Sequence, residues 1–77
     1  MKTSPLCSRD SGREIYFTAR DGDRKLRFTA SREMLDDLLG DASSEAERKA
    51  WITSNKSTIT EGASRAPFDQ ILVEEIT

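Results

Sequence analysis

Residues 14–40 read E-I-Y-F-T-A-R-D-G-D-R-K-L-R-F-T-A-S-R-E-M-L-D-D-L-L-G, from Glu14 to Gly40, and they decide the fold. Ile15, Phe17 and Ala19 alternate with Tyr16, Thr18 and Arg20, and Leu26, Phe28 and Ala30 alternate with Lys25, Arg27 and Thr29. Successive side chains of a strand point to opposite faces, so each run has one apolar and one polar face. Between the runs stands Asp21-Gly22-Asp23. Asp-Gly favours a tight hairpin because glycine reaches positive φ without steric cost. The stretch predicts an antiparallel pair of strands.

Ser31 then occupies an N-cap position in front of a helical pattern. Met34, Leu35, Leu38 and Leu39 share one helical face, and Gly40 falls at the usual C-terminal stop. Asp36, Asp37 and Asp41 near that end oppose the helix dipole, at a cost of roughly tenths of a kcal/mol each. They read as a solvated face, since the spacing of a calcium loop is absent.

Further along, Ser44-Glu45-Ala46-Glu47 fits a capping box. Trp51, Ile52, Asn55, Ile59, Gly62, Ala63 and Ala66 fall in one helical arc, with Arg48 inside it. The spacing predicts a second helix from about Glu45 to Ser64, ended by Pro67. Phe68 to Ile76 reads as a last strand, and Glu74 and Glu75 suggest that it lies at an edge. Ile71 and Val73 lie on one of its faces, Leu72 and Ile76 on the other. Residues 1–13 read as a flexible N-terminal tail and 14–77 as a single small domain. The order β-β-α-α-β predicts an α+β fold: a small antiparallel sheet with two helices packed on one face. The expected core is Ile15, Phe17, Leu26, Phe28, Leu35, Leu38, Trp51, Ile52, Ile59 and the apolar residues of the last ten.

With 34% charged and 35% hydrophobic residues, the 77-residue chain must build that core from few side chains. Self-association would enlarge it. The single cysteine, Cys7, excludes an intrachain disulfide and any multi-cysteine metal site. The absence of histidine excludes Ser–His and Cys–His nucleophile arrangements and histidine metal sites. No apolar run approaches a membrane span, and the first residues lack the hydrophobic core of a secretory signal, so the expected location is the cytoplasm. Residues 1–32 carry a net charge of +4 and residues 33–77 of −6. The two halves are expected to neutralise each other within one fold.

Taken together, I-x-F-x-A-x-D-G, F-x-x-S-x-E-x-L and E-A-E-x-x-A-W-x-x-N-K-x-x-I-x-x-G-A resemble the small bacterial proteins catalogued as domain of unknown function 1488. The resemblance runs from Ile15 to about Ala63, about two thirds of the chain, and continues loosely into the last strand. Phe17, Asp21, Gly22, Ser31, Leu35, Trp51, Asn55 and Ile59 carry it through their joint spacing. It implies an α+β fold and a bacterial source, and no activity. The chain departs from the fuller N-terminal beginning of that family, so the resemblance does not place residues 1–13.

No catalytic constellation emerges. The pairs Asp36/Asp37 and Glu74/Glu75 are adjacent residues that point apart, and the glycines form no phosphate loop. The chain is therefore expected to be non-enzymatic, with no cofactor and no metal. The outward hairpin face offers Tyr16, Thr18, Lys25, Arg27 and Thr29 but lacks the several aromatics of an RNA-binding sheet. Glu45 and Glu47 would face phosphates if the second helix entered a groove. The expected function is a small non-catalytic protein-interaction or accessory module of the bacterial cytoplasm, with a protein partner or a second copy. The alternative is a weak nucleic-acid-binding protein that uses the basic hairpin face. Candidate interaction residues are Tyr16, Lys25, Arg27 and Asn55. For Asn55 a structural role is favoured, its amide bonding backbone at a strand end or in the loop before the second helix.

Overall fold

The computed structural model describes residues 2–76. Strands β1 (Lys2–Thr3), β2 (Cys7–Arg9), β3 (Glu14–Asp21) and β4 (Arg24–Ser31) precede helices α1 (Arg32–Leu39), α2 (Glu45–Ser54) and α3 (Lys56–Thr60). A 3₁₀ turn at Phe68–Gln70 and strand β5 (Leu72–Glu75) complete the order. All strand pairs are antiparallel. β4 lies between β3 and β5, and β1 and β2 both flank the other side of β3. The architecture is α+β, a small antiparallel sheet with helices on one face.

The hairpin forms as its alternation predicts. Phe17 and Phe28 face each other across the ladder and stack with ring centroids 5.3 Å apart. Pairing runs through Asp21↔Arg24, so the turn proper is Gly22-Asp23, with Gly22 at φ 63°. Glycine at the first turn position supplies the positive φ that a two-residue hairpin needs. Ile15, Phe17, Ala19, Phe28 and Ala30 are buried on one side of the sheet. Met34 and Leu35 of α1, Ile52 of α2, Ile59 of α3 and Phe68 close over them.

Residues 2–9 are part of this sheet, which corrects the expectation of a tail through residue 13. Lys2 pairs with Arg20 and Cys7 with Tyr16, which leaves one extra residue on the outer strand between the two registers. The bulge falls at Ser4-Pro5. Ser4 N–H donates to Thr18 O at 2.8 Å, and Ser4 Oγ accepts from Thr18 N–H at 2.9 Å in place of a backbone carbonyl. The bulge changes the phase of the strand, so Leu6 packs against the core. These residues lack an extended alternation, and Pro5 has no N–H, so their pairing left little trace in the sequence.

Both helix starts are as read. Ser31 Oγ accepts from Met34 N–H at 3.2 Å, and Ser44 Oγ accepts from Glu47 N–H at 3.1 Å. The reciprocal half of the capping box differs, because Glu47 Oε1 accepts from the Ser44 hydroxyl rather than from its backbone amide. The second helix is not continuous to Ser64. It breaks at Asn55, with φ −113° and ψ 11°, and resumes as the short α3. Asn55 N–H is shared between the carbonyls of Trp51 and Ile52, each at 3.1 Å, and the flanking threonines weaken the helix further.

Several expected core residues lie elsewhere. Leu38 is 38% exposed, because α1 turns its first-half residues Met34 and Leu35 into the core. Leu26 and Trp51 are half-buried at the core's margin, Trp51 stacking on Phe68 with centroids 5.8 Å apart. Of the last residues, Phe68 is buried in the 3₁₀ turn and Ile71 packs against the core, but Leu72, Val73 and Ile76 are exposed. Arg48, inside the apolar arc of α2, is 7% exposed and donates through Nη1 to Ser43 O at 2.6 Å. Among the described residues, no helix is long and apolar enough to cross a membrane.

Candidate functional site

The helices cover one face of the sheet and leave the other open. Register fixes which side chains line the open face. Lys2 lies opposite Arg20, Cys7 opposite Tyr16 and Arg9 opposite Glu14, while Tyr16, Thr18 and Arg20 face Thr29, Arg27 and Lys25. β5 contributes Leu72 beside Thr29 and Glu74 beside Arg27. Among the described residues, these strands place five cations and two carboxylates on that face.

Tyr16 is its centre. The Arg9 guanidinium carbon lies 5.3 Å from the ring centroid and that of Arg27 lies 6.0 Å from it. Each guanidinium is also held by a carboxylate. Arg9 Nε meets Glu14 Oε1 at 2.8 Å, and Arg27 Nη2 meets Glu74 Oε1 at 3.0 Å. The ring is thus clamped between two charges whose own partners orient them, and its position on the face is fixed. Thr29 is buried on this side as well, at 2% exposure, in the row that runs from Cys7 through Tyr16 to Leu72. The face therefore has a largely uncharged row at Tyr16 and a basic row at Lys2, Arg20 and Lys25, with Thr18, Arg27 and Glu74 between them. Lys2 and Arg20 in the basic row are exposed and have no carboxylate partner among the described residues.

Of the four candidate residues, Tyr16, Lys25 and Arg27 come together here, and Tyr16 and Arg27 touch. Asn55 does not join them. It sits at the junction of α2 and α3, on the covered side, and its Nδ2 donates to Trp51 O at 2.8 Å. The expected bond to backbone exists, but its partner is one turn back in the same helix rather than a strand end or a loop. Sequence reasoning missed Lys2, Arg9 and Leu72, because their place depends on how β1, β2 and β5 pair.

A concavity of about 410 Å³ opens where the β2–β3 turn meets the start of α1. Arg13, Arg32, Asp10, Glu14, Glu33 and Asp36 line it together with Ser31, so charges of both signs share one solvent-exposed mouth. None of these residues gives it an apolar wall to hold a ligand, and its one hydroxyl, Ser31 Oγ, is the N-cap acceptor for Met34 N–H.

Comparison with protein-family models, with curated protein sequences and with solved structures finds no match to this chain.

Proposed function

We propose that this protein is a non-catalytic interaction module whose open sheet face docks an acidic segment of a partner protein. The single observation that carries this reading is the clamped Tyr16 on the same open face as Lys2 and Arg20, two cations with no carboxylate partner among the described residues. An amphipathic aromatic with fixed orientation offers contact area at low entropic cost, and neighbouring cations favour carboxylates. The occupant would lay an apolar side chain on the Tyr16–Leu72 row and carboxylates on the Lys2–Arg20 row.

Nucleic acid suits the face less well. Glu14 and Glu74 flank Tyr16 at the positions a phosphate backbone would cross, and Tyr16 is the one aromatic on these strands that faces outward. The whole chain carries a net charge of −2, which adds no long-range attraction for a polyanion. The bacterial and cytoplasmic setting belongs to the same proposal; the first rests on the resemblance described above, the second on the absence of a long apolar run or signal-like segment in the sequence.

A photo-cross-linking residue placed at Thr18 on the open face, and separately at exposed Ser57 on α3, tests this in the cell that makes the protein. The expected result is a discrete protein adduct from position 18 that nuclease does not remove, and none from position 57. Nucleic-acid adducts from position 18, or equal labelling from both positions, would overturn it.

A further inference from the structure

The two edges of the sheet are built differently. The β1/β2 edge is interrupted by the Ser4-Pro5 bulge, and a bulge and a proline are devices that stop a strand from recruiting another. β5 has neither. Its pairing with β4 is continuous from Leu72↔Thr29 to Glu75↔Leu26, and three of the four exposed large hydrophobics, Leu72, Val73 and Ile76, lie on or next to it. Its acids do not blunt the edge either, because both are turned back onto β4. Glu74 meets Arg27 at 3.0 Å and Glu75 meets Arg24 at 3.3 Å.

We infer that β5 is a pairing edge for a second copy of this chain, joined antiparallel about a two-fold axis beside Glu74. The ladder fixes the register. Ile76 N–H donates to Lys25 O at 2.9 Å, so alternate residues Leu72, Glu74 and Ile76 turn their backbone groups toward β4. Val73 and Glu75 turn theirs outward. Pairing Val73 of one copy with Glu75 of the other satisfies all four groups on each strand and brings exposed Leu72 against Ile76 of the second copy. Glu74 then meets Glu74 of the second copy, and each carboxylate arrives already neutralised by its own Arg27. An edge with no net charge and a self-complementary pattern suits a second copy better than a charged foreign strand. The result is one continuous sheet in which the two open faces adjoin. This pairing does not depend on what docks on those faces.

Analytical ultracentrifugation of the full chain across the micromolar range should give a mass that rises from one copy to two. Val73→Pro removes an outward N–H that the β4 ladder does not use, so it should keep the circular dichroism of the parent while weakening association at least about tenfold. Should that variant fail to fold, a cysteine scan still tests the register. With Cys7→Ser as background, Glu74→Cys should oxidise to a cross-linked dimer, since directly opposed Cβ atoms lie about 4.5–5.5 Å apart, near disulfide reach. Leu72→Cys should not, because residue 72 faces residue 76. A wild-type mass that stays at one copy, or cross-linking at 72 as efficient as at 74, would overturn the inference.

Discussion

Lys56 Nζ donates to the carbonyl of Ser4 at 2.9 Å and stands 5.2 Å from the centroid of the Phe17 ring. One side chain from the start of α3 thus joins the helical layer to the bulged edge of the sheet across the top of the core. It explains why the Ser4 carbonyl leaves the β3 ladder and why the Ser4 hydroxyl takes its place as acceptor for Thr18.

Lys56→Met keeps the aliphatic stem over Phe17 and removes the ammonium. The expected loss is about 1 kcal/mol, from one hydrogen bond and one cation–π contact. Hydrogen exchange at the Ser4 and Thr18 amides should quicken more than at the amides of the β3–β4 ladder. Unchanged protection at both sites would show that the edge is held without Lys56.

Trp51 is expected to be a peripheral anchor, stacked on Phe68 and half-buried. Trp51→Ala should cost about 3 kcal/mol, the low end for loss of a large aromatic, because part of the ring is already in water. Thermal unfolding measures the cost. A midpoint within a degree or two of the parent would contradict it.

Asn55 closes α2 with its own side chain. Asn55→Ala leaves the Trp51 carbonyl with only the shared backbone donor, and a cost of about 1 kcal/mol is expected. The same variant should leave open-face binding unchanged, because the residue lies on the covered side. Loss of binding without loss of stability would move the functional surface to the α2–α3 junction.

Arg48 is a buried guanidinium that donates to the Ser43 carbonyl, and its Nε has no hydrogen-bond partner among the described residues. Removing such a charge recovers its desolvation cost, while removing its stem loses packing. Arg48→Met should therefore sit within about 1 kcal/mol of the parent, and Arg48→Ala should be clearly less stable. Chemical denaturation of the pair decides it, and equal destabilisation would contradict the account.

The hairpin and α1 were legible because period-2 alternation, a Gly-containing turn and the Ser31 cap all agree. The Asn55 break was half legible. Its place in the apolar arc marked it as a polar residue that must find backbone, but which carbonyl it meets depends on helix geometry. The outer strands were not legible. Lys2 to Arg9 carries no alternation, and its pairing is set by the tertiary bonds of Ser4 and Lys56. In β5 the composition was misleading: Leu72, Val73 and Ile76 suit a core strand, yet at the edge they remain in water. The open face inherits the same asymmetry. Tyr16, Lys25 and Arg27 followed from the hairpin alone, whereas Arg9, the second guanidinium of the clamp, waited on β2.

The most direct test of the open-face reading is an amide-resolved NMR titration with two probes, an oligo-glutamate peptide and an oligothymidylate of equal charge. At moderate salt the peptide should produce saturable shifts on Tyr16, Thr18, Arg20 and Arg27, and charge reversal by Arg20→Glu should weaken it about tenfold or more. The nucleotide should bind no better than the peptide. Tighter binding of the oligothymidylate at that face, or peptide shifts that gather on the helices instead, would contradict the account.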